Sequence, residues 1–352
     1  MAKHVIFLVH GMGAHPDGWH EKTAQLIQDL YSSYSDLSDL PFSDTFVIEP
    51  VTYDEEFEAL RKQWRESTAA LGTAIKSSGI SADLVSELNQ LASATNRDTF
   101  LNTHVSDVLM YRALRQVAGL VRDSVRLQLL KGIKKQGKVG EVRWSVIAHS
   151  LGTAVVHDSL HGLYTDKSVN SKGSFRGVTR PVCLAMIANV SRVMEDSESD
   201  VYTSTIRPGI SSDAGCLLYL NARHEWDPFT QPKKFAPMSN WPSVEARARE
   251  LYVECGIRDI GQVNVHDLDH YLRNPLVHGP LFNALHGSAG SRGLLDADTI
   301  ATAHAQFVLN LKAELLDLAL QKLKPLRLGE EDGWVDILKS WLAMRKLPQG
   351  SV

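Results

Sequence analysis

Short, nearly continuous apolar runs rich in Val and Ile are the feature that most constrains the fold of this chain. They occupy residues 5–9, 46–51, 144–148, 182–190, 216–220 and 262–265, and longer stretches with helical periodicity separate them. A strand that is apolar on both faces is typical of a sheet covered on both sides, and strands that alternate with helices form mostly parallel sheets. The sequence therefore predicts an α/β fold, with a mostly parallel central sheet and helices on both faces.

The spacing of these runs is uneven and predicts how the chain is organised. Nearly ninety residues follow the second run with no clear strand, whereas a single crossover needs far fewer. We therefore expect a core formed by residues 1–53 and 141–325, a helical cap or lid inserted at 54–140, and a C-terminal helical tail at 326–352. The alternative is that the insertion contains ordinary helices that cover the sheet.

Composition excludes several classes of protein. The formal charge is −4 and there is no basic excess, which argues against a partner bound by charge, such as a nucleic acid. The three cysteines fit neither a disulfide framework nor a CxxC metal pattern, and the short N-terminal apolar run does not fit a signal peptide. No apolar stretch approaches the ~20 residues needed to cross a bilayer. We expect a cytoplasmic protein without stable membrane insertion; peripheral membrane contact stays open.

One stretch combines a strand, a tight turn and a helix around a serine. Residues 144–156 read WSVIAHSLGTAVV, with Ser150 between the small residues Ala148 and Gly152. A strand-to-helix turn of this kind lifts a serine hydroxyl clear of the sheet, and it needs small neighbours because the strand and the helix pass close together. Ser150 is therefore the candidate nucleophile, and the N–H of Leu151 is a candidate oxyanion donor. The alternative is a serine that caps an ordinary turn.

A second glycine-containing loop follows the first strand. His10-Gly11-Met12-Gly13 comes directly after the run at 5–9, and glycines let a backbone N–H approach a reacting carbonyl closely. The N–H of Met12 is the predicted second oxyanion donor. A glycine-rich turn without a ligand is the alternative.

These two elements resemble the α/β-hydrolase superfamily, in its lipase- and esterase-like serine hydrolase branch. The resemblance extends from Val5 to about Leu285 and implies the α/β-hydrolase fold, no cofactor and no metal. It also implies that the acid and then the histidine follow the nucleophile in the chain.

That order directs attention to two downstream loops. The sequence Asp227-Pro228-Phe229 resembles the acid loop of the family, so Asp227 is the predicted acid, with Glu225 as its competitor. His270, followed by a tyrosine and later by an asparagine, resembles the histidine turn and is the predicted general base. His266 and His278 are the alternatives at this position.

The predicted reaction is cleavage of a carboxylic ester through an acyl-enzyme. The expected partner is a small-molecule or lipid ester, because helices over the site could present apolar surface to an acyl chain. The same residues could serve a thioesterase, an amidase or an acyltransferase, and a non-catalytic binding protein with this fold is the remaining alternative. His157 and His161 lie one helical turn apart, but they lack an acidic or cysteine partner at metal-ligand spacing.

Overall fold

A computed structural model describes residues 2–11, 15–56, 115–165, 179–194, 206–210, 214–230, 234–235, 251–262, 264–287 and 294–323. The strands are β1 (His4–Val9), β2 (Phe46–Val51), β3 (Trp144–His149), β4 (Cys183–Ile187), β5 (Leu218–His224) and β6 (Tyr252–Ile257). The helices are α1 (Glu21–Ser32), α2 (Phe42–Thr45), α3 (Arg115–Gln136), α4 (Leu151–Thr165), α5 (Leu268–Arg273), α6 (Pro275–Leu285) and α7 (Ala297–Leu323).

The six strands form one parallel sheet in the order β2-β1-β3-β4-β5-β6. The chain builds outward from β1 to β2 and then returns to place β3 on the other side of β1. Strand order thus reverses between β1 and β3. In open parallel sheets, the crevice beyond the carboxyl ends of the strands at such a reversal is where ligands bind. The loops after β1 and β3 are therefore the first place to look for a site.

Both faces of the sheet are buried, as the apolar runs predicted. Val5, Phe7 and Val9 pack in one cluster with apolar side chains of α3 and α4. Ile6 and Leu8 are equally buried, and because side chains alternate along a strand they point to the opposite face. The prediction of an α/β fold with a parallel sheet is confirmed at this level.

The last strand differs from the prediction. The structure places β6 at Tyr252–Ile257, and the described residues of 262–265 lie in a turn, in which the N–H of Asp267 donates to the carbonyl of Asn264. β6 lies at the edge of the sheet, where only Cys255 and Ile257 are buried. Glu254 and Gly256 interrupt its apolar character, so it carries no continuous apolar run.

The expected insertion at 54–140 contains a helix of the core at its C-terminal end. α3 buries Val121, Val125, Leu129 and Ile133 in the cluster that covers the sheet, as the alternative of sheet-covering helices anticipated. Residues 57–114 and the predicted tail at 326–352 lie outside the described residues.

Contacts divide the chain into two units, Met1–Thr302 and Ala303–Val352. The sheet lies in the first unit, and the described part of the second is the remainder of α7. Within the parts of the chain that the structure describes, no helix has the length and apolar character needed to cross a membrane.

Candidate active site

Ser150 occupies the tight turn between β3 and α4. Its φ of 53° is in the left-handed region, where a non-glycine residue is strained, and its side chain is buried. Its N–H donates to the carbonyl of Ile187 on β4 at 3.0 Å. The fold therefore holds the hydroxyl of Ser150 at the carboxyl edge of the sheet, beside the point where strand order reverses.

Two glycines let the loop after β1 lie directly against this turn. A Cβ atom at Gly152 would come within 2.3 Å of the His10 carbonyl oxygen, and one at Gly11 would come within 2.9 Å of the Ser150 Cβ. Both separations are too short for real contacts, so only glycine fits at either position without movement. The small-residue requirement inferred at Gly152 thus has a specific cause, which is the backbone of β1.

His266 links Ser150 to Asp227. Its Nε2 lies 2.8 Å from the Ser150 Oγ, and its Nδ1 lies 2.8 Å from the Asp227 Oδ2. Because a carboxylate only accepts, the Nδ1 carries the proton of the neutral ring, and Nε2 is the acceptor for the serine hydroxyl. The ring packs against Phe229 at 4.4 Å between centroids. In this arrangement the imidazole can accept the serine proton while the carboxylate holds the ring.

Asp227 is buried and accepts hydrogen bonds from three donors. They are the His266 ring, the Tyr271 hydroxyl at 2.7 Å and the Phe229 N–H at 3.0 Å. Burial alone would raise the pKa of Asp227, but the electrostatic interaction with the His266 ring and these hydrogen bonds outweigh it and lower the pKa. The carboxylate is therefore ionised at neutral pH. Glu225, the competing acid, is exposed.

The structure corrects the choice of His270. Asp267 caps the N-terminus of α5, where its carboxylate accepts from the N–H groups of Asp269 and His270. His270 therefore lies within α5, and the centroid of its ring is 5.3 Å from that of His224. Its Nε2 is buried without a hydrogen-bond partner, and burial lowers its pKa. His266, in the turn just before the cap, holds the position predicted for His270.

The third candidate, His278, has a structural environment. It lies in α6, where its Nε2 is 2.7 Å from the Tyr34 hydroxyl and its Nδ1 is 2.8 Å from the Leu272 carbonyl. Burial lowers its pKa to about 4, so the ring is neutral near pH 7. His278 therefore joins α6 to its neighbours and does not contact Ser150.

His149 positions the backbone of His266. Its Nε2–H donates to the His266 carbonyl at 2.6 Å, and burial lowers the pKa of His149 to about 3. The neutral His149 ring thus connects the residue before Ser150 to His266, which contacts Ser150. This arrangement fixes the register between the loop after β3 and the turn before α5.

One of the two predicted oxyanion donors lies in the described structure. Leu151 begins α4, and the first N–H groups of a helix have no partner within the helix and sit at its positive end. The Leu151 N–H therefore has the setting required of an oxyanion donor. Met12 and the following Gly13 lie outside the described residues.

A cleft of about 260 Å³ opens onto Ser150 and His266. Its wall is polar and apolar in nearly equal parts, and its other described lining residues are His10, Gly11, His15, Trp19, Thr23, His149, Asn264, Asp267, Leu268 and Asp269. Asp269 accepts from Thr23 at 2.8 Å and pairs with Lys22 at 3.5 Å. The described part of the cleft therefore offers hydrogen-bonding groups beside a comparable apolar surface.

Two contributors were not predicted from the sequence. Tyr271 is the tyrosine that follows His270 in the sequence, and its hydroxyl bonds Asp227 directly. No sequence signal links His149 to His266. Comparison of the chain with protein-family models, with curated proteins and with solved structures found no match.

Proposed function

We propose that this protein is a serine hydrolase of the α/β-hydrolase type that cleaves a carboxylic ester through an acyl-enzyme. The observation that carries the proposal is the pair of 2.8 Å contacts from His266 to Ser150 and to Asp227. Residues remote in the sequence supply an alcohol, an imidazole and a carboxylate in the order that nucleophilic catalysis needs. The helical cap expected over the site belongs to this proposal.

Acylation begins when the Ser150 Oγ attacks the ester carbonyl carbon. The serine proton moves to the His266 Nε2, and the carbonyl electron pair moves onto oxygen. Asp227 stabilises the imidazolium, which carries protons on both ring nitrogens. When the C–O bond to the alcohol breaks, the Nε2 proton passes to the leaving oxygen, and the acyl group stays on Ser150.

Deacylation repeats these steps with water as the nucleophile. His266 takes a proton from the water as its oxygen attacks the acyl carbon, then returns the proton to the Ser150 Oγ as the acid leaves. In both steps the Leu151 N–H, and the Met12 N–H in the proposed arrangement, would donate to the developing oxyanion. Removing one such donor typically costs about 3 kcal/mol of transition-state stabilisation.

The size of the described cleft, about 260 Å³, and the polar atoms on its wall favour a short-chain ester over one with a long acyl chain. Trp19 and Leu268 are its apolar contributors, whereas Thr23, Asn264 and Asp269 present polar atoms. Each buried polar group that a hydrocarbon chain covered without a hydrogen bond would cost about 1–3 kcal/mol. We therefore expect kcat/KM to fall along a series of p-nitrophenyl esters from acetate to decanoate.

Hydrolysis of p-nitrophenyl acetate by Ser150→Ala tests the proposal. Ser159→Ala is the matched control, because Ser159 is also buried on α4 but its hydroxyl bonds the Val155 carbonyl. We expect Ser150→Ala to lose activity by a factor on the order of 10³ or more and Ser159→Ala to keep it. Activity retained in Ser150→Ala would end the proposal. Failure of a fluorophosphonate probe to label the native protein at Ser150 would favour a non-catalytic binding protein.

A further inference from the structure

The loops after β1 and β2 bring together two histidines that line the cleft, His10 and His15, and an aspartate, Asp54. One ligand atom each from His10, His15 and Asp54 lies within 4.8 Å of the other two. The His10 Nε2 is 3.6 Å from the Asp54 Oδ1, and the His15 Nδ1 is 3.3 Å from the Asp54 Oδ2. This group takes no part in the proposed reaction.

We propose that His10, His15 and Asp54 bind a divalent transition-metal ion, with zinc as the best-fitting case. Zinc–ligand bonds of 2.0–2.2 Å in tetrahedral geometry place neighbouring ligand atoms roughly 3.3 Å apart. The two histidine–aspartate separations, 3.6 and 3.3 Å, are close to that value, and all three ligand atoms lie within 4.8 Å of one another, so side-chain rotations would complete the set. Two imidazoles and one carboxylate favour zinc and its neighbours over Mg²⁺ or Ca²⁺, which prefer all-oxygen sites.

The contacts around the three side chains are those that support a metal ligand. The His10 Nδ1–H donates to the Gly11 carbonyl at 2.8 Å, which leaves Nε2 as the unprotonated nitrogen of the neutral ring. One Asp54 oxygen also accepts from the His15 backbone N–H at 2.7 Å. A ligating histidine that donates its other ring proton to a backbone carbonyl is the usual second contact at such sites.

The protonation states also suit a metal. Burial lowers the pKa of His10 to about 4, so its imidazole is neutral near pH 7. Burial raises the pKa of Asp54, but its contacts with His15 and His10 outweigh this effect and lower it. Metals bind neutral imidazole and ionised carboxylate, so no proton has to leave these two groups at neutral pH.

Two contacts would have to yield to the ion. The His10 Nε2 lies 3.3 Å from the Thr52 hydroxyl and accepts from the Tyr53 N–H at 3.3 Å, both at the long end of the hydrogen-bond range. The His15 Nδ1 is buried and makes no hydrogen bond, so it gives up none. A metal ion would satisfy that nitrogen and would tie the loop after β1 to the loop after β2.

Metal titration of the full chain, freed of metal with EDTA, tests this proposal. Co²⁺ is followed by its visible absorption and Zn²⁺ by calorimetry. We expect one equivalent of each metal to bind and Zn²⁺ to raise the Tm. In His15→Gln and Asp54→Asn, each checked for folding by circular dichroism, the affinity should fall by about 10-fold or more.

His20→Gln is the matched control, because His20 lies on the same loop but is not one of the three residues. It should bind the metal as the native chain does. Absence of stoichiometric binding, or binding that survives both His15→Gln and Asp54→Asn, would overturn the proposal. The readout is binding, so the result does not depend on esterase activity.

Discussion

Replacement of Tyr271 by phenylalanine isolates the support that Asp227 receives from outside the triad. The Tyr271 hydroxyl donates to the Asp227 Oδ2 at 2.7 Å and accepts from the His224 N–H at 3.0 Å, and the ring is fully buried. Phenylalanine keeps the ring and removes both hydrogen bonds. Tyr34→Phe is the matched control, since its buried hydroxyl bonds a histidine outside the site.

The expected cost follows from these two bonds. A hydrogen bond to a charged acceptor contributes about 1.5–3 kcal/mol and a neutral one about 1 kcal/mol, so the free energy of unfolding should fall by about 2–4 kcal/mol. Because Asp227 keeps its bonds to His266 and to the Phe229 N–H, we expect kcat/KM to fall by only about 10-fold, or ~1.4 kcal/mol. Tyr34→Phe should lose stability without losing activity.

The pH dependence gives the sharper test. The pKa of Asp227 is lowered in the folded protein, so its ionised form stabilises the fold at neutral pH, and this stability is lost as the pH falls through the lowered pKa. Without Tyr271 the pKa lies nearer its ordinary value of about 3.9. The difference between Tyr271→Phe and the native chain in urea unfolding should be constant above that value and shrink below it. A difference under about 0.5 kcal/mol at pH 7 would refute this reasoning.

Two further changes probe the triad and the turn. Asp227→Asn should lower kcat by a factor on the order of 10³–10⁴, because the amide cannot hold His266 in the same tautomer; a pre-steady-state burst with p-nitrophenyl acetate measures it, and a loss under about 10-fold would count against the triad. Gly152→Ala should cost about 1–3 kcal/mol or more, because its Cβ would meet the His10 carbonyl at 2.3 Å. Gly119→Ala, where a Cβ meets nothing within 4 Å, should leave stability equal or higher in thermal unfolding.

The sheet and the nucleophile turn could be predicted from the sequence because local pattern specifies them. The interior strands β1, β3 and β4 are buried on both faces, so their apolar runs are continuous. Ser150 with Ala148 and Gly152 forms a five-residue pattern that can be read locally, although the atom that excludes a side chain at position 152 is the remote His10 carbonyl oxygen. β6 was not predicted because its sequence has no continuous apolar run. It lies at the edge of the sheet, where the Glu254 Oε1 pairs with the Arg223 Nε at 2.6 Å.

The choice between His266 and His270 depended on information that a linear pattern lacks. Both histidines follow the apolar run at 262–265. The tyrosine after His270 made His270 the closer match to the family pattern. Which ring reaches Ser150 is decided by the Asp267 cap, which starts α5 and turns His270 away. The tyrosine itself was an informative signal, but its hydroxyl bonds Asp227, and it is His266 that contacts Ser150.

The relative activity of His266→Gln and His270→Gln tests the central claim most directly. Both variants are assayed with p-nitrophenyl acetate and normalised to the fraction that is folded. The account predicts that His266→Gln loses kcat/KM by a factor on the order of 10³ or more, whereas His270→Gln stays within about 3-fold of the native chain. An active His266→Gln beside an inactive, folded His270→Gln would contradict it.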